Sequence, residues 1–146
     1  MIALIQRVTQ AAVAIDGKTV ARIGPGVLAL VAAEPDDTAA QATRLAERVL
    51  GYRIFADECG RMNHSTRETG RQVLAVPQFT LAADTQRGNR PGFSSACPPA
   101  RARELFDAFV GVLQEHHPER IEQGVFGADM QVSLINDGPV TFWLQS

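Results

Sequence analysis

The chain has little of what most active sites are built from. It has two cysteines, Cys59 and Cys97, and three histidines, His64, His116 and His117, in 146 residues. The cysteines lie far apart, and no Cys-x-x-Cys or His-x-x-x-His spacing occurs, so a zinc site has no support. Without a secretory context, both cysteines are expected to be free thiols. No apolar stretch approaches the roughly 20 residues of a membrane span; the longest run, Val27 to Ala33, is strand-sized. The N-terminal stretch Met1-Ile2-Ala3-Leu4-Ile5-Gln6-Arg7 lacks a basic leader followed by a long apolar core, so cytoplasmic location without membrane association is expected. Net charge is −2, and a protein that coats nucleic acid would be basic. That argues against broad duplex binding but leaves room for contact with one end of an RNA.

What remains is an ordinary globular composition, 45% apolar and 21% charged, of a length that fits one domain spanning residues 1–146. Residues 2–8 read as a buried strand. Residues 11–16 and 18–23 flank Asp16-Gly17, a hairpin signal. Gly24-Pro25-Gly26 is a turn, and Val27 to Ala33 reads as a strand buried on both faces. Asp36-Asp37-Thr38 caps a helix over 37–50, with Ala42, Leu45 and Val49 on one face. Tyr52 to Ala56 is a strand, and Asp57 to Arg71 a polar loop. Gln72 to Phe79 is β-prone up to Pro77, which cannot donate to a ladder and so marks an edge or a strand end. A second polar loop, 83–99, precedes a helix over 99–116 with Leu105, Phe106, Phe109, Val112 and Leu113 on its apolar face. Ile121 to Phe126 is a short strand. Met130 to Ile135 and Val140 to Leu144 are strands around an Asn-Asp-Gly-Pro turn. The order implies a mixed α/β fold: antiparallel-rich sheets or a partly closed barrel, with two main helices packed outside.

Two segments supply polar atoms where a plain strand would not need them. For Gln78-Phe79-Thr80, the plain reading is a strand end with Phe79 in the core and Thr80 exposed. The functional reading makes the Phe79 and Thr80 N–H groups donors to a developing oxyanion, with the Thr80 hydroxyl as nucleophile or water-orienter. A nucleophilic threonine needs a base, and none adjoins it in sequence. For Asn136-Asp137-Gly138-Pro139, the plain reading is a hairpin turn. The sharper one is a cis Gly-Pro bond presenting a rigid pair of carbonyls. The loop Arg87-Gly88-Asn89-Arg90-Pro91 is either solvated or a phosphate contact through its arginines. In Phe126-Gly127-Ala128-Asp129-Met130, two small residues between Phe and Met let a planar group approach backbone, although a core turn is the simpler account. Arg101, Arg103 and Glu104 read as solvated helix charges without a role.

Together these segments resemble the D-aminoacyl-tRNA deacylases, also called D-tyrosyl-tRNA deacylases. The likeness runs over essentially the whole chain. It is carried by Ile5-Gln6-Arg7-Val8, Arg53-Ile54-Phe55, Met62-Asn63-His64-Ser65, Gln78-Phe79-Thr80-Leu81, Gly88-Asn89-Arg90-Pro91, the stretch from Gly124 to Met130, and Asn136-Asp137-Gly138-Pro139-Val140-Thr141. The family pattern usually has Ser where this chain has Pro77, which removes a hydroxyl and an N–H. A related deacylase type has Pro there but lacks the Phe and the Gly of the two motifs; Phe79 and Gly138 therefore favour the D-specific type.

The resemblance implies a cofactor-free, metal-free hydrolase that proofreads translation by cleaving the ester between a D-amino acid, or glycine mischarged on the alanine tRNA, and the tRNA 3′-terminal adenosine. It implies a homodimer with active sites at the interface, where Gly138-Pro139 of one subunit, in cis, enters the other's pocket and turns away L side chains. Gln78, Phe79 and Thr80 would line the reaction centre as catalytic residues. Pro77, Asn136, Gly138 and Pro139 would shape the chiral pocket, and Phe126 and Met130 would hold the adenine. Whether Thr80 is acylated or the RNA 2′-OH assists stays open. The alternative function is a non-catalytic module of the same fold that binds a tRNA 3′ end or a nucleotide.

Overall fold

A computed structural model describes residues 1–86, 88–94 and 96–146. Its organising element is β1, Ile2–Ile15, a single strand where two were expected. Three strands use its two edges. β2 (Lys18–Ile23) and β3 (Gly26–Ala32) follow one another along one edge, both antiparallel to β1; the register runs on from one to the other, with Ala11 opposite Ile23 and Val8 opposite Gly26, and shifts between Val13 and Ala14 near the hairpin. The Asp16-Gly17 hairpin takes the left-handed conformation at both residues, φ 50° and 74°, as a tight two-residue turn requires. β8, Gln131–Gln145, runs along the other edge of β1.

β6 (Gln72–Pro77) lies parallel to β3, and β7 (Ile121–Gln123) parallel to β6. The sheet coils into a nearly closed barrel. Its central strands are buried on both faces, which is why β3 reads as unbroken apolar sequence. Val27, Ala29, Val31, Val73 and Ala75 face the helices, and Leu28, Leu74 and Val76 face a second core with Val8, Val13 and Ile23. Outside pack α1 (Ala39–Gly51), through Ala42, Leu45 and Val49, and α3 (Pro99–His116), through Leu105, Phe109 and Leu113. Helix α1 starts after Thr38, whose N–H donates to the Gln41 side chain.

Three expectations need correcting. The polar stretch 57–71 is not a plain loop. It contains β5 (Met62–Ser65), paired with β4 (Arg53–Ala56), and the single turn α2 (Thr66–Thr69). Ser65 and Glu68 cap that turn reciprocally, a Ser-x-x-Glu capping box. The strand foreseen at 121–126 stops at Gln123. Finally, Asn136-Asp137-Gly138-Pro139 is not a hairpin turn. Residues on both sides of it pair with the same strand, β1, so it is a bulge within one long strand.

Candidate active site

The first half of the site forms where β6 leaves the sheet. Pro77 is the last residue paired with β3, opposite Val31, and Gln78 N–H closes the ladder by donating to the Val31 carbonyl at 2.7 Å. The chain then turns through a short 3₁₀ helix, Phe79–Ala82. The first N–H groups of a helix have no partner inside it. Leu81 N–H donates to Gln78 and Ala83 N–H to Thr80. The N–H groups of Phe79 and Thr80 make no backbone hydrogen bond among the described residues, leaving two adjacent donors unused. The Thr80 hydroxyl accepts from Gln78 Nε2 at 2.6 Å, and no carboxylate or imidazole is hydrogen-bonded to it among the described residues. Phe79 is not in the core, as the plain reading had it. Its side chain is 58% exposed and leans on the ring of Phe93, with centroids 5.3 Å apart.

This turn borders a cleft of about 480 Å³, within the size range of small-molecule sites. Pro77, Gln78 and Phe79 line one side, Cys97, Pro99 and Ala102 at the start of α3 another, and the segment from Phe126 to Met130 a third. Five of the nine expected site residues thus meet here, with Thr80 adjoining them. The Phe126 ring packs on Phe106, centroids 6.4 Å apart. Met130 Sδ accepts the Val125 N–H at 3.3 Å, and a Cβ on Gly124 would lie 2.9 Å from that sulfur; the bare glycine lets the loop close over the methionine. Burial in the cleft pushes the Cys97 thiol above its usual pKa. Among the described residues no group of three or more His, Cys, Asp or Glu side chains could hold a metal. Arg90 lies in the exposed loop beside Phe93; Arg87, the other arginine of the expected phosphate contact, falls outside the described residues.

Asn136, Gly138 and Pro139 are not in this cleft. On β1, Gln6 pairs with Thr141 and Val8 with Asn136, so Asp137 to Pro139 and Val140 all oppose Arg7. The excess chain projects as a bulge, and the Gly138–Pro139 peptide is cis. Its base is clamped. The Asn136 side chain accepts from Val140 N–H at 2.8 Å and donates to the Thr141 hydroxyl at 3.0 Å, which Gln6 Nε2 also reaches at 3.2 Å. Arg7 donates through Nε to the Asp137 carbonyl and through Nη1 to the Ile54 carbonyl, both at 2.9 Å, and pairs with the Asp137 carboxylate at 3.3 Å. Gly138 and Pro139 are themselves exposed. Strand spacings put the bulge on the order of 20 Å from Gln78 in the same chain: the row through Pro77, Val31, Ala3 and Leu144 spans three strand gaps, and the bulge lies four residues further along β1.

Sequence reasoning gave no role to two side chains that shape these halves, Arg7 and Arg103. A charged residue inside the apolar run Ile2–Val8 was the available signal for Arg7, since arginine is seldom buried unpaired. Arg103 lies in an unremarkable charged helix turn, yet its Nη2 donates to the Phe126 carbonyl at 3.2 Å and its Cζ stands 5.1 Å over the Phe126 ring.

The family model described as D-Tyr-tRNA(Tyr) deacylase matches residues 4–145. Curated relatives named D-aminoacyl-tRNA deacylase are 59% identical in Stenotrophomonas maltophilia (strain R551-3) and 57% identical in Xanthomonas campestris pv. campestris (strain 8004), each over 99% of both chains. A solved structure described as the c-Myc DNA unwinding element binding protein superposes with a TM-score of 0.95 at 37% identity, covering 100% of this chain and 99% of that one. A probable eukaryotic D-amino acid tRNA deacylase shares the fold, with a TM-score of 0.87 at 18% identity over 99% of this chain and 98% of the other. With the family pattern spanning nearly every element described above, this chain belongs to the D-Tyr-tRNA(Tyr) deacylase family.

Proposed function

We propose that the protein hydrolyses the ester linking a D-amino acid, or glycine, to the 3′-terminal adenosine of tRNA, and that it does so as a homodimer whose sites combine the cleft of one subunit with the bulge of the other. The observation that carries this reading is the separation of the two halves. One chain presents N–H donors at Phe79 and Thr80 that make no hydrogen bond among the described residues and, far away, an exposed, clamped Gly138-Pro139 bulge. Each is half of an ester-handling site, and a second copy can bring them together. The strand bearing the bulge supports such pairing: among the described residues β8 pairs with β1 alone, and Ile135 and Trp143 on it are 53% and 52% exposed.

In that site the terminal adenosine occupies the cleft between Phe126 and Met130, and the ester carbonyl lies against the 3₁₀ turn. Water adds through its oxygen to the carbonyl carbon and pushes charge onto the carbonyl oxygen, which the Phe79 and Thr80 N–H groups receive. The ester C–O bond then breaks, the water's oxygen staying on the amino acid's carboxyl and one of its protons passing to the ribose 3′-oxygen, which leaves free amino acid and the ribose 3′-OH. No base is hydrogen-bonded to Thr80 among the described residues, which favours direct hydrolysis with help from the substrate's own 2′-OH over an acyl-threonine. The partner's Gly138 and Pro139 backbone faces the substrate α-carbon as a wall. An L side chain is driven into it, a D side chain points away, and glycine has nothing to exclude. Pro77, in place of the family serine, contributes shape and no donor. Purified protein is expected to deacylate D-Tyr-tRNA and Gly-tRNA while sparing L-Tyr-tRNA; equal rates on the D and L esters would reject the proposal.

A second reading, a nucleic-acid-binding module without turnover, draws on the description of the solved relative at 37% identity and on Pro77. Single-turnover assay with binding measured in parallel separates the two, and tight binding without ester cleavage would favour the module.

A further inference from the structure

We infer that Arg103 is a positioning residue for the terminal nucleoside: it holds Phe126 as a fixed stacking face and thereby sets the affinity for the tRNA end. The inference rests on the hydrolase reading above and adds a residue to it. Two walls of the cleft come from different parts of the chain, Ala102 on α3 and the segment starting at Phe126. The Arg103–Phe126 hydrogen bond is the one side-chain hydrogen bond joining α3 to the 124–130 segment among the described residues. The guanidinium engages Phe126 twice, through the backbone carbonyl and over the ring face, while Phe106 supports the ring. A Cβ on Gly127 would stand 3.9 Å from Arg103 Nη2, so the guanidinium also spans the turn beside that glycine, where φ is 81°.

The geometry matches arginine's planar fork and not a lysine point charge. Arg103 makes no ion pair among the described residues, so its interactions there are those with Phe126. Pinning the ring before substrate arrives avoids an ordering cost that would otherwise fall on binding. Because the effect is on ground-state affinity for a part of the substrate remote from the ester, it is expected in KM and not in kcat.

The test compares wild type, Arg103→Ala and Arg103→Lys on D-Tyr-tRNA, with kcat and KM separated at several salt concentrations and thermal melts recorded for each protein. Arg103→Ala is expected to raise KM about tenfold with kcat within about twofold. Arg103→Lys is expected not to rescue, and the dependence of log KM on log salt is expected to stay as in wild type. Rescue by lysine together with a salt slope lower by about one would overturn the inference, because Arg103 would then touch a phosphate directly. A fall in kcat at unchanged KM, or no change in either, would overturn it as well. Wild-type protein that leaves the D-ester intact would defeat the hydrolase reading and this inference with it. An active wild type unmoved by Arg103→Ala would defeat only the inference.

Discussion

The turn after β6 and the bulge in β8 both interrupt strands with polar backbone, but they are built in opposite ways. The turn is open. Among the described residues its one side-chain hydrogen bond is Gln78 to Thr80, its N–H groups at Phe79 and Thr80 make no hydrogen bond, and Phe79 is exposed and leans on the ring of Phe93. The bulge is closed at its base, where Arg7, Asn136, Thr141 and Gln6 tie it to β1 and, through Ile54, to β4. A catalytic element that meets developing charge must keep donors free. An element that discriminates by exclusion must not yield. In the proposed site, rate and selectivity would thus fall to separate pieces of backbone, one soft in its demands and one rigid.

Breaking the rigid piece has the largest expected effect. A Cβ on Gly138 would lie 2.6 Å from both the backbone N and Cγ2 of Val140, at a φ of 152°. Gly138→Ala is therefore expected to lower D-Tyr-tRNA deacylation on the order of 100-fold, the scale of an ångström-level misplacement; the readout is single-turnover rate at matched folding. Arg7→Ala leaves the Asp137 and Ile54 carbonyls without their donor. It is expected to cost about 1–3 kcal/mol of stability, seen in denaturant unfolding, and to narrow the ratio of D to L rates as the bulge loosens. Thr80→Ala tests the soft piece. Its backbone donor survives, so activity is expected to fall less than about tenfold; loss as complete as that of Gly138→Ala would instead indicate a threonine nucleophile. The smallest effect concerns Cys97. Its raised pKa, caused by burial in the cleft, keeps the thiol protonated at neutral pH. Iodoacetamide is expected to label exposed Cys59 first, with Cys97 labelling faster as pH rises; equal labelling at neutral pH would contradict a closed cleft wall.

The parts of this architecture that could be read from sequence were those with a local physical signature. The Asp16-Gly17 hairpin, the doubly buried β3, the two long helices and the strand end at Pro77 each follow from turn chemistry, periodicity or a missing N–H. Ser65-x-x-Glu68 carried its own capping signature, but four polar residues in a row masked the helical turn it begins. The bulge was misread as a hairpin because Asn-Asp-Gly-Pro satisfies turn chemistry equally well. Only the register of β1, a long-range property, shows that both flanks pair with one strand. Arg103 had no local signature at all, since its meaning depends on a loop more than twenty residues away meeting α3. The cleft residues Gln78, Phe79, Phe126 and Met130 stood out by their own chemistry, with the family resemblance choosing the functional over the plain reading, and their convergence depends on β6, α3 and β7 packing side by side.

Complementation asks whether each site takes its donors from one subunit and its wall from the other. Gly138→Ala chains and Phe79→Pro chains, the latter lacking one donor N–H, are each expected to be inactive as homodimers. Randomly paired mixtures should regain about a quarter of wild-type D-Tyr-tRNA deacylation, because half the dimers are mixed and each mixed dimer holds one intact site. Mixtures that stay as inactive as either parent, with mixed dimers verified by two tags, would rule out a site shared between subunits.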